Sequence, residues 1–308
     1  MAKPTDTLEI SKEMSLNASI FSALLCMMFG GNAVAIKISM FGLGAFTAAG
    51  IRFSIAAAVI YAWARFKRIN LGINTRQCVQ LLIIGTAFFI QMLCFYFGLE
   101  RTSASHGVLI LNIQPFIVMV LAHFFIPGDQ ITLKKTCGIA LGFSGILVLF
   151  FNPGTFESHL NSGDLIVLSA VLLWGTSTVY IKRIINDFHA IQITWYPMVM
   201  GLPFFFLGGF LFDQSMVKQI TGNVIQAMFY QSVVTASFGF LAWNTLLQKY
   251  GATALHSFLF LMPVTGVIFG VLLLNEPVSI NLILSLLLIA CGILLVNFKY
   301  ERPFQSKW

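Results

Sequence analysis

The sequence predicts an all-α polytopic membrane protein, with ten transmembrane helices arranged as two inverted five-helix repeats. Three observations predict it. Of 308 residues, 58% are apolar and only 9% charged, where soluble domains carry about 25% charged residues. The apolar residues gather into ten runs long enough to cross a bilayer. Motifs of the first half return in order in the second half at a nearly constant offset.

The composition excludes most soluble classes. A mean hydropathy of +0.87 leaves too few polar residues to cover a water-soluble globule, so a soluble enzyme, a nucleic-acid binder and a disordered chain are ruled out. Ten spans of roughly 20 residues take about 200 positions and leave about 100 for tails and loops, with no room for a separate soluble domain. The excess of 18 Lys+Arg over 11 Asp+Glu would suggest nucleic acid in a soluble protein; here it comes from loops on one side of the membrane. Cys26, Cys78, Cys94, Cys137 and Cys291 lie in or beside apolar runs. They form no CxxC pair and no Cys/His ligand spacing, so neither a metal nor a disulfide is expected.

Residues 1–15 form a polar tail of mixed charge. A signal peptide would open with a basic region and close on a small-residue cleavage site. Neither is clear, so the first run is expected to stay in the mature chain. The runs are 17–38, 45–65, 77–99, 103–126, 133–151, 164–185, 190–212, 223–247, 252–274 and 280–298. In lipid such runs are helices, because a helix satisfies its own backbone groups; a barrel would show short alternating segments. The chain therefore divides into a cytoplasmic tail (1–15), a first five-helix repeat (16–151), an external linker (152–163), a second repeat (164–298) and a cytoplasmic tail (299–308).

Lysine and arginine set the orientation. With the N-terminus inside, the inside segments hold Lys3, Lys12, Arg65, Lys67, Arg68, Arg76, Lys134, Lys135, Lys182, Arg183, Lys249, Lys299, Arg302 and Lys307. The outside loops hold only Arg101 and Lys218. This bias predicts both termini in the cytoplasm and an even number of spans.

The two halves match in four places. FGGNAVAIK at 29–37 corresponds to WGTSTVYIK at 174–182; Ala104 and Pro115 correspond to Ala252 and Pro263; Asp129-Gln-Ile-Thr132 corresponds to Glu276-Pro-Val-Ser279; and Gly145-Ile-Leu corresponds to Gly292-Ile-Leu. The offsets are 145, 148, 147 and 147. Five spans per half reverse the second copy in the membrane. Inverted repeats are an architecture of secondary transporters, with a substrate site near the midplane between the copies.

These motifs carry a family resemblance. The WG-x-S/N…K pattern near the start of each half, Arg52-Phe53 in the second run, the aromatic end of the third, the prolines of the fourth and ninth, and the LLLNEPVS turn resemble the EamA family of the drug/metabolite transporter superfamily. The resemblance spans about residues 17–298. It departs at Phe29, where tryptophan is usual, and at Pro127-Gly128-Asp129, where a Gly-Glu turn is usual. It implies export of amino acids, metabolites or toxic compounds, or import, and leaves substrate and direction open.

Several chemistries are absent from the sequence. No GxxxxGK[ST] cradle is present, so ATP is not expected, and no HExxH spacing points to a metal. All eleven acids lie in tails, loops or span ends, so the embedded carboxylate common in proton relays is missing. Facilitated diffusion or exchange is the expectation; proton coupling through histidine stays open. No cofactor is expected. The partners are a small solute and the lipid bilayer, with no nucleic acid, and the oligomeric state stays open.

The candidate site residues follow from the repeat. Phe29, Asn32, Ala33 and Ile36 share a helix face, as do Trp174, Ser177, Thr178 and Ile181; these faces either line a cavity or pack closely. Pro115 and Pro263 each free a carbonyl one turn earlier and are expected to kink their spans as gating points. Asn112 shares a face with Pro115, and His256 and Phe260 share one with Pro263. An asparagine facing lipid is costly, so Asn112 should point inward; His256 either binds substrate or protons or is a satisfied structural histidine. Tyr96, Trp174, Trp195 and Trp243 are candidate walls for an apolar solute, with Trp243-Asn244 corresponding to Phe95-Tyr96. Lys37 lies near a span end, Lys182 is its repeat counterpart, and Arg52 is roughly 12 Å into the second span by helical rise. These charges either attract a substrate carboxylate or fix packing.

The expectation is thus a secondary transporter of a bacterial cytoplasmic membrane working by alternating access, exporting neutral or aromatic amino acids or related amphipathic metabolites. The largely uncharged interior suits such solutes better than phosphates, which need a denser basic cluster. Drug efflux and metabolite import remain alternatives on the same fold. An integral membrane enzyme or a non-transporting scaffold is the reading from another class; the sequence shows no clustered His/Asp/Glu for the enzyme, and the internal repeat argues against the scaffold.

Overall fold

The computed structural model describes residues 14–99, 101–102, 107, 110–150, 162–274 and 280–297. Helices fill the described chain, and an isolated bridge pairs Leu43 with Val217. In order they are α1 (Leu16–Gly42), α2 (Ala45–Phe66), α3 (Thr75–Leu99), α4 (Gln114–Phe125), α5 (Leu133–Phe150), α6 (Ser162–Ile184), α7 (Ala190–Phe212) and α8 (Gly222–Lys249). The next segment runs without a break through α9 (Ala252–His256), a 3₁₀ turn (Ser257–Phe260) and α10 (Leu261–Leu274); α11 (Ile280–Asn297) follows. Among the described residues six helices are long and apolar enough to cross a membrane: α1, α2, α3, α6, α7 and α8.

Capping residues explain where several helices begin. Ser15 Oγ accepts the Ala18 N–H at 3.3 Å and opens α1. At α7, His189 Nδ1 accepts the Ile191 N–H at 3.2 Å while Gln192 Oε1 accepts the His189 N–H at 2.9 Å, a reciprocal cap that satisfies orphan donors. Asp213, at the end of α7, caps α2 from a distance: its oxygens accept Phe46 N–H at 3.2 Å, Thr47 N–H at 2.9 Å and the Thr47 hydroxyl at 2.8 Å.

The surface is apolar and much of the interior is polar. Phe210, Phe124 and Phe229 are 76%, 71% and 61% exposed, whereas Ser22, Gln91, Gln231, Ser232 and Thr235 are buried. Water would penalise so large an exposed apolar surface; lipid accepts it and drives the polar side chains inward. The molecule is a polytopic membrane protein.

Helix partners recur in pairs. α1 packs on α10 and α6 on α4; α8 packs on α1 and α3 on α6; α8 packs on α2 and α3 on α7. Two further contacts join α2 with α7 and α5 with α11. Glycines set the closest approaches. A Cβ at Gly30 would lie 2.7 Å from Thr265 Cβ, and one at Gly175 would lie 2.5 Å from Ile117 Cγ2. Gly30 and Gly175 are 145 apart in sequence, and Ile117 and Thr265 are 148 apart, the offsets of the two motif pairs. On the far side, a Cβ at Gly292 would meet the Gly138 carbonyl oxygen at 2.5 Å and the Gly142 nitrogen at 2.7 Å. The Gly138/Gly142 pair is thus spent inside the chain, bringing α5 against α11.

Pro115 is the second residue of α4 and Pro263 the third of α10, so each falls in a first turn, where its missing N–H costs little. A turn at Asn112–Ile113 precedes Pro115, and the 3₁₀ stretch Ser257–Phe260 precedes Pro263 within an unbroken helical segment.

Candidate functional site

The interior constellation is built where α1, α2, α8 and α9 meet. Middle residues Tyr230–Gly239 of α8 wind as a π-helix, a form found often at functional positions. The wider turn aims a polar set at the neighbouring helices. Gln231 Nε2 donates to the Ala35 carbonyl at 3.0 Å, the Thr235 hydroxyl to Asn32 Oδ1 at 2.9 Å, and the Ser237 hydroxyl to the Ser232 carbonyl at 2.7 Å and the Ala56 carbonyl at 3.4 Å. Tyr230 donates its hydroxyl to the Met28 carbonyl at 2.8 Å.

An aromatic wall continues from this polar set. The Arg52 guanidinium carbon lies 5.1 Å from the Phe53 ring centre and 5.7 Å from that of Phe240, within cation–π reach. Phe240 meets Phe29 edge to face at 5.9 Å, Phe29 meets Trp243 at 6.1 Å, and Trp243 meets His256 at 5.3 Å. Cation, rings and imidazole thus form one connected series across four helices. His256 is buried, and its Nδ1 lies 2.8 Å from the Ala252 carbonyl. A carbonyl only accepts, so the bond places a proton on Nδ1.

A second polar contact joins α8 to α7. Asn244 Nδ2 donates to the Thr194 hydroxyl at 2.9 Å, and Trp195 Nε1 donates to the Ala57 carbonyl at 3.0 Å. At the start of α4, Asn112 and Gln114 are both buried. Gln114 Nε2 has no hydrogen-bond partner among the described residues.

Residues 16–151 and 161–298 match the EamA-like transporter family. The chain belongs to that family. This EamA-like chain is similar along nearly its whole length to curated relatives. It is 24% identical to "Uncharacterized transporter YoaV" of Bacillus subtilis (strain 168), over 90% of this chain and 95% of that protein. It is 26% identical to "Probable amino-acid metabolite efflux pump" of Escherichia coli (strain K12), over 96% of this chain and 97% of that protein. It is 30% identical to "WAT1-related protein At3g02690, chloroplastic" of Arabidopsis thaliana, over 88% of this chain and 67% of that protein. A solved crystal structure superposes with a TM-score of 0.81 over 92% of this chain and 98% of its own, at 16% identity, a likeness of fold.

Within this EamA-like chain the sequence candidates separate into groups. Asn32, Arg52, Trp243 and His256 join the central series, and Asn244 lies on the same α8 facing α7. Trp174 and Ser177 are half-buried on α6. Phe260 is seated over Gly142 of α5, in a packed cluster with Met119, Ile139 and Ile289. Lys182 donates to the Leu247 carbonyl at 2.6 Å and the Gln248 carbonyl at 3.2 Å, tying the end of α6 to the end of α8. Lys37 and Tyr96 lie on α1 and α3, and their side chains are outside the described residues.

Sequence reasoning missed Gln231, Thr235, Ser237, Thr194 and Gln114. The signal was available for the first three. Three polar side chains within seven residues of an apolar span must face inward, because lipid penalises them.

Proposed function

We propose that this EamA-like chain is a secondary transporter that exports small amphipathic metabolites, with neutral and aromatic amino acids as its solute class. The observation that carries this reading is the continuous series from Arg52 through Phe240, Phe29 and Trp243 to His256, flanked by the Asn32–Thr235 hydrogen bond. Rings complement an apolar or aromatic side chain. Amide, hydroxyl and guanidinium complement the amino-acid head group. The buried, unpartnered Gln114 amide adds a donor whose desolvation a polar solute would offset. The Escherichia coli relative named as an amino-acid metabolite efflux pump favours the same solutes and direction.

The working cycle is alternating access between two inverted repeats of five spans each. The paired helix partners and the glycine contacts at matching offsets support that reading. So do the irregular windings before Pro115 and Pro263 at repeat-related positions, a turn in one and a 3₁₀ stretch in the other, since discontinuous helices mark binding regions in such transporters. The bacterial cytoplasmic membrane with both termini inside is the topology that the lysine and arginine bias supports.

Solute counterflow tests the function. Proteoliposomes preloaded with one unlabelled amino acid are offered a labelled panel, with and without a pH gradient. The expected result is saturable accumulation of neutral and aromatic members independent of the gradient. Chemical conversion of the solute would point to an enzyme, and absence of flux for every amino acid would overturn the solute class.

A further inference from the structure

A second site lies at the C-terminal end of α2, apart from the central series. There the Ile69 N–H donates to the Ala64 carbonyl at 2.9 Å and the Arg68 N–H to the Arg65 carbonyl at 3.1 Å. This bond pair is a Schellman cap, whose left-handed position usually holds glycine. Here Arg68 occupies it, at φ 52°, a conformation that a Cβ disfavours. The cap turns the chain so that Arg65 and Arg68 line one cavity of about 540 Å³, together with Tyr61, Asn70 and Leu71.

The wall of this cavity is fixed by hydrogen bonds. Gln192 Nε2 donates to the Gly72 carbonyl at 3.0 Å and the Tyr196 hydroxyl to the Leu71 carbonyl at 2.8 Å. Gly72 N–H donates to Asn70 Oδ1 at 2.8 Å, which occupies the amide oxygen and leaves the NH₂ group of Asn70 as a donor. Among the described residues no carboxylate pairs with Arg65 or Arg68.

Basic residues near a helix C-terminus are favoured by the helix dipole alone. That accounts for the charge at positions 65 and 68. It does not account for arginine in the left-handed position, or for two exposed arginines that line one cavity. The neighbouring Trp63 and Phe66 are exposed at the end of an apolar span, and tryptophan favours the membrane–water interface. The cavity therefore sits at the end of the apolar span.

We propose that this cavity binds a phosphate group, held by Arg65 and Arg68 with Asn70 as a further donor. Planar guanidinium groups suit phosphate because they donate two parallel hydrogen bonds. The same chemistry is offered by the phosphodiester of an anionic lipid and by soluble phosphate, and the test separates the two.

Native mass spectrometry of the purified full chain reads retained phosphatidylglycerol against phosphatidylcholine, and calorimetry reads inorganic phosphate. A lipid site predicts phosphatidylglycerol retention that falls about tenfold in Arg65→Gln/Arg68→Gln, the loss of roughly one charge-assisted contact. A soluble-phosphate site predicts the same fall for inorganic phosphate in place of the lipid; either result supports the proposal. The Arg68→Gly variant separates ligand from fold. It keeps the cap, so its melting temperature should match or exceed that of the parent, while retention falls. Retention of both probes at parental level in these variants, or binding of neither probe by the parent, would overturn the proposal.

Discussion

The Thr235 hydroxyl donates to Asn32 Oδ1 at 2.9 Å, which fastens the π-wound middle of α8 to α1. The same hydroxyl lies 2.7 Å from the Gln231 carbonyl, the usual alternative acceptor for a threonine in a helix. One hydroxyl hydrogen thus has two acceptors at hand, one within α8 and one on α1. A contact that can be exchanged in this way can release one helix from another while the Thr235 hydroxyl keeps an acceptor.

The first prediction concerns that pair. Asn32→Ala and Thr235→Val should each lower the stability of the purified chain by about 1 kcal/mol, the scale of interhelical hydrogen bonds in membranes. The double variant should lose less than the sum. Thermal melting in detergent on all four forms gives the coupling. Additive losses would show that the two side chains act independently.

Gln114 gives a prediction of opposite sign. Among the described residues its buried Nε2 lacks a partner, and an unsatisfied buried polar group is destabilising. Gln114→Leu should therefore leave the melting temperature unchanged or raise it, by up to about 1 kcal/mol in stability. Counterflow should fall if the amide meets the solute. A clear loss of stability would show that the amide already has a structural role.

Asp129 joins three elements. It is buried, pairs with Lys135 at 2.6 Å and accepts the Thr253 N–H at 3.0 Å. The second bond satisfies an orphan donor at the start of α9. Asp129→Ala should destabilise by about 1–3 kcal/mol, from the lost cap and the lost ion pair, although Lys135 keeps the Gln130 carbonyl at 2.8 Å. Lys135→Met should cost less, because the α9 contact survives. Melting curves of the two variants check the order.

Gly292 tests the close approach of α5 and α11. A side chain there would press on the backbone of Gly138 and Gly142, which cannot swing aside as a flexible side chain would. Gly292→Val should cost about 1–3 kcal/mol, read as a lower melting temperature. By contrast Gly266 has open space within 4 Å, so Gly266→Ala should be tolerated.

The fold was legible where lipid imposes simple rules. Runs such as 45–65 and 190–212 fall on α2 and α7 because only a helix satisfies its backbone in a bilayer. The candidate site was legible only in part. Asn32, Trp243 and His256 were visible as polar or aromatic residues at motif positions. Their connection was not, because it depends on the π winding of 230–239, which hydropathy does not encode. Phe260 shares its helix with His256, yet it packs over Gly142, since a glycine on another helix decides where a large ring fits. The prolines marked places where the winding changes: a turn precedes Pro115 and a 3₁₀ stretch precedes Pro263, which residue pattern alone does not specify.

The most direct measurement is counterflow of labelled phenylalanine into proteoliposomes, comparing the parent chain with Trp243→Ala. Trp243 links Phe29 to His256, so its removal opens the centre of the aromatic wall. The account predicts saturable transport by the parent and a loss of about tenfold or more in the variant, with the folded fraction unchanged; that loss corresponds to about 1.4 kcal/mol. Equal transport by both proteins would contradict a solute path along the series from Arg52 to His256.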